Sequence, residues 1–450
     1  MICWSDVRWP TWPIPGGSPG PLAVVRVRPG LVVASVLVGA LSVLADARSG
    51  GVPETARLVW HVENEDGQPV DALEADSAIN PASLTKVATS LWALERLGPD
   101  HRFETRFASS ASLDPSTGVL EGDLVVLGSG DPDFHVENAF LVAQALNGLG
   151  LSTVRGRLLV DETFWIGWEG GSEKRETDRE RRATLMASRL RDAFDPARWT
   201  TDTRKYLNEF IARRSIAGDA PRVVIEGEPG AHAGLDPSLI LLRHRSSPLK
   251  QILKRFNAYS NNDIERLGPG LGSGEDLAAF LATRWKVAPS KLAFESLAGL
   301  GANRMTPRLV VRMLEDLHHT LIGLGLRLED VLPAVGCDPG TLTHFPQFDD
   351  TPAGAVVAKT GTLRKTDGGV AVLAGLAHTA RGSMFFCVVA PGSGGRLAQA
   401  REAQQRWLLD LIARHGGPRP RECGAAVGHS DDDARIEEGT KTGTDLKSVP

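Results

Sequence analysis

Ser83 and Lys86 stand three residues apart in "INPASLTKVATSLWALERLG" (Ile79 to Gly98), at the front of a stretch with helical apolar spacing. On a helix such a pair shares one face, so the lysine amine reaches the serine hydroxyl. A serine hydroxyl is a weak nucleophile until a base takes its proton. A lysine whose charged form is disfavoured by burial can be that base. Pro81 suits the first helical position, Asn80 the N-cap and Gly98 the stop. Leu84, Val87, Leu91 and Leu94 form the face to be buried. Ser83 then lies in the first turn, where unpartnered N–H groups and the positive helix end favour an oxyanion. Ser-x-x-Lys is common by chance, so its weight depends on what else the chain carries.

Two further segments carry suitable groups. "NAYSNNDIE" offers Ser260, a hydroxyl for proton relay, and Asn262, an amide for a substrate carbonyl and for Lys86. Read alone, it is a polar loop between helices. "VVAKTGTLRKTDGGVAVLAGLA" places Lys359, Thr360 and Gly361 at the end of an apolar run. Lysine and threonine at a strand end suit a carboxylate. Gly361 would let a substrate backbone approach, and Thr362 could add a hydroxyl and a second oxyanion N–H. Read alone, this is a strand entering a basic turn, since Arg364 and Lys365 follow.

Together, Ser-x-x-Lys, Ser-x-Asn and Lys-Thr-Gly occur in the order of the penicillin-recognising serine enzymes. "NPASLTK", "LEGDLVVLGSGDPDF", "GRLLVDETFW", "RSSPLKQILKRFNAYSNN", "LPAVGCDPGTL" and "AKTGTL" resemble the D-alanyl-D-alanine carboxypeptidase/endopeptidase family, the class C low-molecular-mass penicillin-binding proteins. The 177 positions from Ser83 to Ser260 match the long insertion of that family. The resemblance runs from about Glu54 to Arg414. It implies an α/β (α+β) fold of the β-lactamase/transpeptidase type, an antiparallel sheet flanked by helices, with an inserted mainly β domain. It implies acyl transfer on peptidoglycan stem peptides and acylation by β-lactams, with Ser83, Lys86, Ser260 and Asn262 catalytic and Lys359, Thr360, Gly361 and Thr362 binding substrate. No metal or organic cofactor is implied. One departure is "ESLAGLGANRMTP", where Ala298 and Gly301 stand in place of two serines found in relatives. That departure keeps an idle peptidoglycan-binding homologue as an alternative. A β-lactamase is another, although no Glu-x-x-x-Asn base motif lies between the second and third motifs.

The elements around these motifs are legible in outline. "LVWHVEN" alternates like a strand, and "EDGQPV" turns it back. "RFETRFAS", "GVLEGDLVVLGSG", "GRLLVDETFW", "RVVIEG" and "LILLRHR" read as strands of the insertion. "NAFLVAQALNGLG" reads as a helix, and the charged stretch from Gly170 to Arg214 as exposed helices or an ordered loop. "GSGDPD" (Gly128 to Asp133) lacks the lysine of a phosphate loop and reads as a strand-end turn. Helical patterns return from Pro248. Three strands joined by short turns, "AGAVVAKTGTL", "GGVAVLAGLAHT" and "SMFFCVVAP", predict an antiparallel meander. A last helix near Arg396 to Arg414 would turn Ala400, Ala403, Trp407 and Leu411 to the sheet. These patterns place the transpeptidase-like domain at 53–100 and 246–415, the insertion at 101–245, and a polar, disordered tail at 416–450. The tail repeats "KTGT" at Lys441 to Thr444 without a flanking strand.

Bulk properties fit this reading. The chain has 450 residues, 42% hydrophobic and 23% charged, with formal net charge −5, so no global basic field points to nucleic acid. Cys3, Cys337, Cys387 and Cys423 are scattered singly, which offers no zinc or thioredoxin-like motif. Cys337 and Cys387 could pair, but the sequence does not decide it. Arg26 and Arg28 precede an apolar run from Leu31 to Leu44, and Ala45 and Ala47 form a small-x-small site, so residues 1–47 read as a leader and signal peptide. The run is shorter than the roughly 20 residues of a spanning helix. Export to the periplasm or beyond follows, with loose membrane association compatible and oligomeric state open.

Overall fold

The computed structural model describes residues 56–167, 176–216, 220–234, 236–237 and 239–439. The leader, the signal peptide and the second "KTGT" lie outside these residues. The chain opens with a hairpin of β1 (Val59–Asn64) and β2 (Pro69–Leu73), then a 3-10 turn at Ala82–Leu84 and α1 (Thr85–Leu97). The insertion runs through β3 (Glu104–Ser109), β4 (Val119–Leu120), β5 (Leu124–Leu127), α2 (Val136–Gly148), β6 (Thr153–Val154) and β7 (Leu158–Val160). It continues with α3 (Arg179–Phe194), α4 (Thr201–Arg214), β8 (Val224–Ile225), β9 (Gly230–Ala231) and β10 (Leu239–Arg245). Helices follow: α5 (Leu249–Tyr259), α6 (Gly268–Leu271), α7 (Gly274–Trp285) and α8 (Pro307–Gly323). The chain closes with β11 (Val356–Leu363), β12 (Val370–Thr379), β13 (Gly382–Pro391), α9 (Leu397–Arg414) and β14 (Arg435–Glu438).

The main sheet is antiparallel throughout, in the order β11-β12-β13-β1-β2. The three C-terminal strands form the expected meander. All ten residues of β12 are buried, because both faces of the sheet are covered and no polar alternation is needed. On one face Val357, Val372, Phe385 and Val389 join a core with Leu84, Val87 and Leu91 of the nucleophile segment and with α8. On the other, Val356, Leu373, Phe386 and Val388 pack under Leu408, Leu411 and Ile412 of α9. The buried stripe of α9 is rotated from the expected one. Ala400, Gln404, Leu408 and Leu411 are buried, while Trp407 is only partly so, 5.6 Å from Trp60 between ring centroids. Gln404 is tolerated inside because its amide donates to the carbonyls of Ala371 and Val388.

The insertion departs from the mainly β expectation. Its six-stranded sheet, β14-β10-β3-β5-β7-β9, mixes antiparallel pairs with the parallel pairs β5–β7 and β7–β9, and a second small sheet, β4-β6-β8, is parallel. Parallel neighbours need crossovers, and α2 and α3 lie in them. The charged stretch forms helices with a buried side. Ala183, Met186, Ala187, Leu190 and Phe194 recur at helical spacing and enter the insertion's core. The arginines between them made the stripe hard to see. "GSGDPD" is indeed a turn after β5. Its buried Asp133 pairs with Arg255 of α5, fastening the insertion to the helix that precedes Ser260.

The tail from 416 is not disordered as far as Gly439. Cys423 forms a disulfide with Cys337, and Cys387 is the buried free cysteine among the described residues. Asp431, fully buried, takes ion pairs from Arg213 and Arg214, and β14 pairs antiparallel with β10. Polar and covalent contacts hold this segment, so its lack of large apolar residues did not reveal its order.

Candidate active site

The three sequence motifs meet at the edge of the main sheet. Asn80 caps the nucleophile turn: its Oδ1 accepts from the Ala82 N–H at 3.0 Å. Its Nδ2 donates to Gly301 O at 3.0 Å and to Asp367 Oδ2 at 2.8 Å, tying the turn to two loops. Ala82 holds a left-handed φ of 49°, an unusual backbone for a residue with a side chain. Ser83 follows in the 3-10 turn, partly exposed, while Lys86 in α1 is fully buried.

Lys86 Nζ has three neighbours: Ser83 Oγ at 3.1 Å, Asn262 Oδ1 at 2.9 Å and the Ala298 carbonyl at 2.7 Å. Two are obligate acceptors. A neutral amine has two N–H groups, which they take, and one lone pair, which is left for the serine hydroxyl. Burial pushes the Lys86 amine down to about 7, against a smaller upward pull from Glu265. Lys359, also fully buried, is held well below the usual lysine range by burial and then by Lys86. Two desolvated amines close together cannot both be charged cheaply.

Ser260 is the C-cap of α5 in a left-handed conformation, φ 56° and ψ 39°. Its N–H donates to Phe256 O, and its hydroxyl is partly exposed, with no hydrogen bond among the described residues. Asn262 opens the next 3-10 turn and reaches Lys86. Ser83, Lys86 and Asn262 are thus joined directly, whereas Ser260 stands two residues before Asn262 without a hydrogen bond to them.

The β11 strand is the free edge of the sheet. Ala358 N–H donates to Pro333 O and Val335 N–H to Val356 O, so even-numbered residues turn their backbone groups outward. By the same alternation the N–H groups of Thr360 and Thr362 face the open edge beyond that cover. Lys359 Nζ donates to Thr360 O at 2.7 Å. Side chains alternate between faces, so Lys359 and Gly361 turn toward α1, and Thr360 and Thr362 toward α9. Gly361 therefore serves a contact other than the expected substrate backbone. A Cβ there would lie 2.8 Å from Pro81 O and 3.2 Å from Ala82 Cβ.

The family-model match covers residues 48–184 and 223–411. The chain belongs to the D-Ala-D-Ala carboxypeptidase 3 (S13) family. A curated relative, the D-alanyl-D-alanine carboxypeptidase of Actinomadura sp. (strain R39), is 33% identical over 104 residues. That match takes in 23% of this chain and 19% of the relative, so the chain spans about a fifth of that relative's length. Among solved structures, a predatory peptidoglycan endopeptidase from Bdellovibrio bacteriovorus aligns with TM-score 0.72 at 23% identity, over 85% of this chain and all of that one. Penicillin binding protein 4 from Haemophilus influenzae aligns with TM-score 0.57 at 18% identity, over 80% of this chain and 97% of that one. These likenesses show that the chain shares the fold of these two proteins.

Other residues complete the candidate site and were not singled out from sequence. Glu265 Oε1 accepts from Ala298 N–H at 2.7 Å, and Thr89 Oγ1 donates to Leu297 O at 2.7 Å, fixing the loop whose carbonyl meets Lys86. The missing serines of "AGLG" therefore leave its backbone role intact. Thr360 Oγ1 donates to Thr341 Oγ1 at 2.7 Å, and Arg401 Nη2 to Thr362 Oγ1 at 3.4 Å. Backbone acceptors and residues reaching across from another helix leave no spacing signal. Thr341, inside the "LPAVGCDPGTL" stretch, was the most findable.

Proposed function

We propose that this S13 protein is a serine D-Ala-D-Ala carboxypeptidase/endopeptidase that cleaves peptidoglycan stem peptides through an acyl-enzyme and is acylated by β-lactams. The observation that carries the reading is the Lys86 amine, buried, pushed toward neutrality and sharing its hydrogen bonds so that its lone pair meets Ser83. A stem peptide ending in D-Ala-D-Ala, or a D-Ala crosslink, lies along the open edge of β11. Lys86 takes the Ser83 proton as Oγ attacks the penultimate carbonyl. The N–H groups of Ser83 and Thr362 receive the oxyanion, each such donor contributing about 3–4 kcal/mol to the barrier. The C–N bond breaks as the proton passes by way of Ser260 to the leaving amine, and water then releases the acyl group and restores Ser83. Relatives support the substrate class: one solved form of the Bdellovibrio endopeptidase is acylated by penicillin G. The Cys337–Cys423 disulfide supports work outside the cytoplasm, where such bonds persist, in keeping with the N-terminal export pattern.

Fluorescent penicillin labelling tests the reading. Wild type takes the label and Ser83→Ala does not; a labelled Ser83→Ala protein rejects the nucleophile. Release of D-alanine from a pentapeptide then distinguishes an enzyme from an idle binder, and sustained nitrocefin turnover would indicate a β-lactamase instead.

A further inference from the structure

Lys359 is a poor fixed charge for a substrate carboxylate in this site. It faces α1, is fully buried beside a second amine, and already donates to Thr360 O. The opposite face of the same strand presents a different cation. Arg401, on the first turns of α9, reaches over the sheet edge to Thr362 Oγ1. It makes no ion pair among the described residues, although half of it is buried. Burial, and then the like charge of Arg364, weaken its hold on its proton. His344, in the same short turn as Thr341, is held below the usual histidine range by burial and then by Arg401. A guanidinium stays protonated in proteins, so Arg401 holds its charge half-buried beside a like charge, without an ion pair among the described residues. A guanidinium so placed is stabilised by an incoming anion, and the fork of an arginine fits a carboxylate. Thr360 and Thr362 turn their hydroxyls to this same face, so one carboxylate can meet Thr362 and Arg401 together.

We infer that Arg401 is a specificity-determining residue that binds the carboxylate on the leaving-group side of the scissile bond, with Thr362 as its partner. The inference rests on the proposed acyl-transfer function and deepens it. Substrates and β-lactams bearing a free carboxylate at that position are selected, and those in which it is masked lose the contact. Arg364, exposed at the strand end, adds long-range attraction only.

The test is the second-order rate of acylation by benzylpenicillin and by its methyl ester, for wild type, Arg401→Gln and Arg401→Lys. Arg401→Gln should slow acylation by benzylpenicillin about 10- to 100-fold, the range for a lost hydrogen bond to a charged group. The ester, which lacks the charge, should change by no more than about threefold. Arg401→Lys should fall between, since it keeps the charge and loses the fork. Equal losses on both probes for either variant would make Arg401 a structural residue and overturn the assignment. No loss on benzylpenicillin would overturn it as well. Failure of the wild type to be acylated by either probe would reject the underlying function, and the inference with it.

Discussion

At the residue scale the proposed mechanism rests on Lys86, and its environment gives the pH dependence a sign. As the proposed base it must be unprotonated. Burial pushes it down to about 7, so protonation removes the base below that pH. The acylation rate should fall by about tenfold per pH unit on the acid side and level off above about 7. Stopped-flow acylation across pH 5–9 reads this directly, and a rate flat through pH 6 excludes Lys86 as base. Glu265 pulls in the opposite direction, toward the charged form. Glu265→Gln should therefore move the midpoint to lower pH while its amide oxygen still accepts from Ala298 N–H. A midpoint that stays in place would confine Glu265 to holding the loop. That Ser83, Lys86 and Asn262 meet was legible because the proposed chemistry requires those side chains at fixed spacing. The third partner of Lys86 was not, because any residue at 298 supplies a carbonyl.

Among the elements, the nucleophile turn is clasped by backbone rather than by side chains. Gly299, at φ 81°, lies so close that a Cβ would collide with the carbonyl of Ala82. The turn thus keeps its left-handed Ala82 because the loop beneath admits no bulk. Gly299→Ala should destabilise the fold by about 1–3 kcal/mol through overpacking. It should also slow penicillin acylation by about 10- to 100-fold, since small displacements of a nucleophile carry that cost. Thermal unfolding and labelling kinetics check the two effects; a stable variant with wild-type kinetics would show that the turn is not so constrained. The elements that position the site were mostly visible in the sequence. Leu84, Val87, Leu91 and Leu94 are all buried as their spacing predicts, and the three-strand meander follows from short turns between apolar runs. Local patterns failed where partners are distant in sequence. The parallel strands of the insertion depend on crossovers, and the apolar stripe on α3 is set among arginines.

Across the whole molecule, the C-terminal segment works as a strap. It leaves α9, bridges Thr379 at Pro418, and is fixed by Cys423 to Cys337, just ahead of the Thr341 that meets Thr360. It then gives the carbonyls of Gly428 and His429 to Arg255, receives a hydrogen bond from Asn138 at Ser430, and ends as an edge strand on the insertion. Composition alone marked it as disordered because its stabilising contacts are one covalent bond and buried ion pairs, which hydropathy does not register. Lys254 works beside it, donating to Glu329 O, Leu332 O and Asp338 Oδ2, so the loop carrying Cys337 is held from two sides. The Cys337→Ser/Cys423→Ser double variant should lose about 2–4 kcal/mol, as expected for a native disulfide closing a long loop. Deleting residues from Arg421 onward should lose more, because the carbonyls that Arg255 meets at Gly428 and His429 and the ion pairs of Arg213 and Arg214 with Asp431 go together with the disulfide. Thermal unfolding with and without reductant measures the first effect on the intact chain, and the deletion measures the second. Equal melting temperatures for all three proteins would mean that the segment merely rests on a fold already complete at α9.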